Sequence, residues 1–147
     1  GVLEALFSRE TLITEFVAAE ILRGIQAGHT RLEEIPKAVR AGWLRESGFK
    51  TNKEKRLFES LSRSLGLGEA SSIALAKSRG LVFASDDRVA RAEAAALGVC
   101  LTGTLGLLIK AVLTKVCDRR TADAYLSGMI EDGFYSPVRS LSAPKPD

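Results

Sequence analysis

Apolar positions in this chain change their spacing as the sequence proceeds, and each change predicts an element. Leu3, Leu6 and Phe7 have helical spacing, and Thr11 to Phe16 is a short β-prone run containing Ile13 and Phe16. Val17, Ile21, Leu22 and Ile25 then fall on one helical stripe that stops at Gly28, with Glu20 at its edge. Read alone, Glu20 is an exposed helical glutamate. His29 to Arg40 is polar with a weak helical pattern, and Trp43 to Phe49 fits a short strand. Leu57, Leu61 and Leu65 predict a helix over Lys53 to Leu65, ended by Gly66 and Gly68.

The pattern is sharper beyond Gly68. Glu69 opens a helix in which Ile73, Leu75 and Ala76 face inward, while Ala70, Ser71, Ser72 and Ala74 are small enough for close approach to a sheet. A carboxylate in the first turn suits the helix dipole. After Gly80, Leu81-Val-Phe-Ala is a continuous apolar run of the kind buried in a parallel sheet. Asp86 or Asp87 starts the next helix, with Val89, Ala92 and Ala96 expected on its inner side. Val99 to Thr102 repeats the buried-strand pattern, and Gly103-Thr104 begins a helix through about Val116. A last helix over Arg120 to Asp132 and an edge strand at Phe134 to Val138 follow, with Ser142 to Asp147 read as a disordered tail. Strands alternating with helices across short turns predict an α/β fold with a parallel sheet.

A length of 147 residues favours one domain, placed at 1–141. The composition, 46 % hydrophobic and 27 % charged, is that of a globular protein, and no apolar run is long enough for a membrane span. No signal peptide is legible at Gly1 to Phe7, and Cys100 and Cys117 lack metal-ligand or redox spacing, so a reducing cytoplasm is expected. Met129 is the only methionine and Gly1 to Phe7 reads as mid-helix without a cap, so residues are expected upstream of Gly1. The net charge of +3 mildly favours polyanionic partners. Arg40, Arg45, Lys50, Lys53, Lys55, Arg56 and Arg63 concentrate the positive charge in the central segment, either as a solvated face or as a nucleic-acid track.

Ligands of open parallel sheets bind beyond the carboxyl ends of the strands, where Asp86, Asp87 and Thr104 fall and which Glu69 can approach. Carboxylates gathered there without thiol or imidazole suit a hard cation such as Mg²⁺ or Mn²⁺. Helix capping alone accounts for one aspartate, whereas the pair exceeds what a cap requires. Gly66-x-Gly68 lacks the third glycine and the preceding strand of a dinucleotide fingerprint. The Thr102-Gly-Thr-Leu-Gly turn fits phosphate at a helix N-terminus or a plain capped turn equally well. His29, the sole histidine, sits in a polar turn, and neither cysteine has a basic neighbour, which argues against Ser/His/Asp or thiol hydrolysis.

Leu65-Gly-Leu-Gly-Glu69-Ala-Ser-Ser-Ile-Ala-Leu-Ala, the apolar strand ending in Asp86-Asp87-Arg88, and Gly103-Thr-Leu-Gly resemble, in order and spacing, a bacterial and archaeal subfamily of PIN domains. The resemblance extends over nearly the whole chain. It implies a three-layer α/β/α fold with a central parallel sheet, and an acidic cluster that binds Mg²⁺ or Mn²⁺ and cleaves single-stranded RNA or flap-like nucleic acid to leave a 5′-phosphate. Carried over, Glu20, Glu69 and Asp86 are the catalytic and metal-binding acids, with Asp87 adjacent and Thr104 a polar contributor near metal or phosphate. Lys53, Lys55 and Arg56 are the expected substrate-binding bases. The family's first strand normally carries a further Asp, expected upstream of Gly1. Many members are toxins restrained by an antitoxin, and many dimerise. A catalytically silent RNA- or protein-binding module is the competing reading, and an α/β domain in which the acids are only caps is a third.

Overall fold

The computed structural model describes residues 1–7 and 11–141, which form two compact units: Phe7–Gly103, and Gly1–Leu6 with the chain from Thr104 onward. The predicted tail, Ser142 to Asp147, lies outside the described residues.

The first helix, α1 (Val2–Phe7), belongs to the smaller unit up to Leu6, and in the larger unit β1 (Thr11–Thr14) leads directly into α2 (Glu15–Gln26). Thr14 supplies the N-cap of α2, its Oγ1 accepting from the amide of Val17 at 3.2 Å. A 3-10 turn (Thr30–Glu33) and α3 (Glu34–Ala41) return the chain to β2 (Leu44–Ser47), which pairs in parallel with β1 in the register Thr14 to Ser47. Gly42 allows this return because it closes α3 at φ 85°, which side-chain-bearing residues rarely adopt.

Next comes a helical hairpin of α4 (Asn52–Leu61) and α5 (Leu67–Arg79). The predicted glycine stop divides differently: α4 ends at Leu61, Gly66 caps α5, and Gly68 lies within α5. The β3 strand (Phe83–Ala84), α6 (Arg88–Ala96) and β4 (Leu101–Thr102) complete the unit, and β3 pairs in parallel with β4. Its core joins Leu61 and Leu65 to Ala70, Ile73, Ala76, Phe83, Ala90, Ala94 and Val99. Removing these side chains from water is its main source of cohesion.

Two predicted faces are corrected. Only Phe83 of the Leu81–Ala84 run is buried, and Val82 is 60 % exposed, because the strand is short and covers the core with one face. The inner face of α6 is Ala90 and Ala94, with Val89 57 % exposed. The Asp87 cap fixes where the helix starts and thereby its phase.

The smaller unit contains α7 (Thr104–Leu113) and α8 (Arg119–Glu131), packed through Leu108, Ala122 and Leu126. The first of these helices stops short of the predicted Val116, and Lys115 at φ 59° turns the chain out of it. Phe134 to Val138 is not a strand. Phe134 packs against the Leu126 cluster, and Ser136 Oγ turns back on the backbone of Val138, leaving no ladder partner. Among the described residues, no helix is long and apolar enough to cross a membrane.

Candidate functional site

Two hydroxyls fix how the N-terminal end of α5 meets the end of β1. Thr14 Oγ1 and Ser71 Oγ lie 2.8 Å apart and buried, and Ser71 Oγ also bonds the carbonyl of Gly68 at 3.0 Å. Each hydroxyl has one proton, so the chain of bonds has a direction: Val17 N–H donates to Thr14, Thr14 to Ser71, and Ser71 to Gly68. Burial of these groups is tolerable because each is satisfied. Ser72 Oγ also donates to the Gly68 carbonyl, at 2.7 Å.

Glu20 and Glu69 meet at this end of α5. Glu20 projects from α2 so that its carboxylate oxygens lie 2.8 and 3.0 Å from where a Cβ on Gly68 would stand. Glu69 is the next residue, half-buried in the first turn of α5. Burial pushes its carboxyl above the ordinary carboxylate range, and the charges of Asp87 and Glu20 push it further. Among the described residues neither Glu20 nor Glu69 has an ion-pair partner.

The adjacent aspartates have different surroundings. Asp87 caps α6, its Oδ2 accepting from Ala90 N at 2.8 Å, while its own amide donates to Ser85 Oγ at 3.1 Å. Asp86 Oδ1 lies 2.6 Å from the position of a Cβ on Gly103. Arg91 organises this corner by donating through Nη1 to the carbonyls of Ser85 at 2.8 Å and Thr102 at 2.9 Å, joining the ends of β3 and β4. Side chains on a helix lean toward its N-terminus, so an arginine one turn into α6 reaches back over the loop that starts it. Sequence reading missed Arg91; the signal was a cation near a helix N-terminus, where the dipole disfavours it.

Lys53, Lys55 and Arg56 are exposed on α4. The antiparallel hairpin places them toward the other end of α5, where Arg79 pairs with Glu54. Glu69 and Arg79 are separated by roughly 15 Å along the helix at about 1.5 Å per residue. Thr104 opens α7 in the smaller unit. A groove of about 460 Å³ lies beside α2 and α3 and is lined by Ile13, Leu22, Ile35, Val39 and neighbours, with none of the candidate acids among them.

A family model described as a PIN domain matches residues 1–143. The chain belongs to the PIN-domain family. Its helices and short parallel strands are those of a PIN-like α/β fold. No curated protein and no solved structure gives a significant match. PIN domains are a nuclease-type family that generally uses divalent metals. The donor chemistry here fits such a cation: oxygen-only ligands, and a carboxyl whose ionisation is opposed by burial and, after it, by two neighbouring acids. Among the described residues, however, no three acidic, histidine or cysteine side chains form a group able to hold a metal. The fit is therefore one of donor type and charge.

Proposed function

We propose that this PIN domain is a metal-dependent endoribonuclease that hydrolyses phosphodiester bonds of single-stranded RNA. The observation that carries the reading is the convergence of Glu20 and Glu69 at the N-terminal end of α5, with the Glu20 carboxylate oxygens 2.8 and 3.0 Å from where a Cβ on Gly68 would stand, and with the Glu69 carboxyl pushed up by burial first and by the charges of Asp87 and Glu20 after it. A divalent cation relieves that repulsion. Glu20, Glu69 and Asp86 would hold Mg²⁺ or Mn²⁺, with Asp87 beside them. The chemistry such an ion supplies is activation of water and neutralisation of charge on the scissile phosphate.

The protein's own part is arrangement. The Thr14–Ser71–Gly68 bonds fix the backbone under Glu20, Arg91 ties the carbonyl of Ser85, just before Asp86, to that of Thr102 at the end of β4, and Asp87 holds the start of α6. In-line attack by water would leave a 5′-phosphate. Thr104 is assigned to phosphate contact, and Lys53, Lys55 and Arg56 to the RNA strand farther from the cut. In this reading the protein works in the cytoplasm as the toxin of a toxin–antitoxin pair, as a monomer or a homodimer.

Cleavage of a labelled single-stranded RNA with Mn²⁺ tests the reading, with Glu69→Gln and Asp86→Asn as controls. Loss of cleavage in both variants is expected, and equal cleavage by the wild type and both folded variants would refute it. A catalytically silent RNA-binding module is favoured by one feature, the absence of a metal-holding group among the described residues. RNA binding with no Mn²⁺-dependent cleavage would select it.

A further inference from the structure

We propose that Gly68 and Gly103 are positioning residues, each glycine because a side chain there would take the space in which Glu20 or Asp86 holds its carboxylate. Gly68 is buried within a regular helix, where glycine is among the poorest formers, so its presence needs a reason. Backbone conformation is not that reason, because neither glycine belongs to the positive-φ set of Gly28, Gly42, Gly80, Gly98 and Gly133. Space is. The three atoms nearest to a Cβ on Gly68 all belong to the Glu20 carboxyl group, at 2.8, 3.0 and 3.1 Å. A Cβ on Gly103 would meet Asp86 Oδ1 at 2.6 Å, Arg91 Nη1 at 3.1 Å and the Ser85 carbonyl at 3.2 Å.

The consequences of filling the two positions differ. At Gly68 the obstructed group is the far end of a flexible side chain, so a methyl group displaces the acid and leaves the helix intact. At Gly103 the short Asp86 side chain, a guanidinium and a backbone carbonyl are all crowded, so the strand ends must shift as well. The backbone under Glu20 is itself held by the Ser71 and Ser72 hydroxyls on the Gly68 carbonyl, which prevents the helix from yielding instead. Gly48 provides an internal control, because a Cβ there would meet Glu15 Oε1 at 2.9 Å, and Glu15 is outside the acidic group.

The inference rests on the metal-dependent reading wherever metal affinity is the readout, so the test carries a second readout that does not. Gly68→Ala, Gly103→Ala and Gly48→Ala are compared with wild type by Mn²⁺ titration without RNA, by urea unfolding, and by the position of Glu20 in a crystal structure of Gly68→Ala. Gly68→Ala is expected to weaken Mn²⁺ binding at least tenfold with no fall in the urea midpoint, and to move the Glu20 carboxylate. Gly103→Ala should weaken Mn²⁺ binding and lower the midpoint, while Gly48→Ala should keep Mn²⁺ affinity within twofold. A Gly68→Ala protein with Glu20 in its original place, or with wild-type Mn²⁺ affinity, would overturn the proposal. If the wild type itself binds no Mn²⁺, the nuclease reading falls, and the position of Glu20 in Gly68→Ala alone decides the role of the glycine.

Discussion

The two ends of α5 carry glutamates in opposite circumstances. At its C-terminal end, Glu54 of α4 is 2 % exposed, and Arg79 donates to it through Nε at 2.8 Å and Nη2 at 3.3 Å. The same arginine holds Ser47 Oγ and the Gly48 carbonyl, and the amide of Lys50 completes the carboxylate's bonds at 2.7 Å. The hydrogen bond from Arg79 is the main reason that the Glu54 carboxyl lies below the ordinary range. At the N-terminal end, Glu69 is less buried, has no such partner among the described residues, and is pushed up. Burial acts on both in the same direction, and the partner decides the outcome. One end is built to be satisfied and the other is left in want of positive charge.

The largest expected effect breaks the satisfied end. Glu54→Ala strands Arg79 in a half-buried site and should cost about 3–5 kcal/mol by urea unfolding, the range for breaking one side of a buried pair. Glu69→Gln should instead leave stability within about 0.5 kcal/mol of wild type, as a substitution outside core and network does. Comparable losses at both sites would erase the distinction between the two ends.

A second prediction uses pH. The carboxyl of Glu54 is lowered in the folded state, so its stabilising contribution is present above the unfolded carboxylate pKa and is lost as pH falls through the folded one. Glu69 is raised, so its contribution is present below the unfolded pKa and is lost as pH rises through the folded one. Unfolding free energies measured across the acidic range for wild type, Glu54→Gln and Glu69→Gln should give difference curves of opposite slope. Parallel curves would contradict the assignment.

A smaller effect sharpens the separate roles of the adjacent aspartates. Asp87→Ala removes the α6 cap and should cost about 1 kcal/mol, whereas Asp86→Asn should cost less stability and more cleavage. Smallest is the contribution of the basic face on α4. Each charge removed at Lys53, Lys55 or Arg56 should lower the salt slope of RNA binding by about 1 and leave the cleavage step unchanged, because these residues sit toward the far end of the hairpin. A slower cleavage step at saturating RNA would place them at the cut instead.

Much of this organisation was legible in the sequence because several signals agreed. The β-prone Thr11 run and the long stripe after it emerge as β1 and α2, and Ala70, Ser71 and Ala74 are buried in α5 beside Ile73, Leu75 and Ala76. Degenerate signals leave a helix face or a strand face undetermined. A run rich in alanine gives no contrast between helix faces, so the pattern points Val89 of α6 inward, whereas the helix that starts at the Asp87 cap buries Ala90 and Ala94 instead. Val82 is apolar without being buried, which periodicity in so short a strand cannot register. In the site, Glu69 and the paired aspartates stand out by residue type and position and Glu20 only through the family resemblance, whereas the backbone work of Arg91 and the cleared space at Gly68 and Gly103 depend on tertiary neighbours.

The comparison between the two ends comes down to whether the unsatisfied one takes up a cation. Mn²⁺ titration of the wild type beside Glu69→Gln, followed by electron paramagnetic resonance without RNA, measures this directly. Saturable Mn²⁺ binding by the wild type that falls at least tenfold in a folded Glu69→Gln protein is the expected result. Equal Mn²⁺ binding by the two proteins, or none by either, would contradict the account.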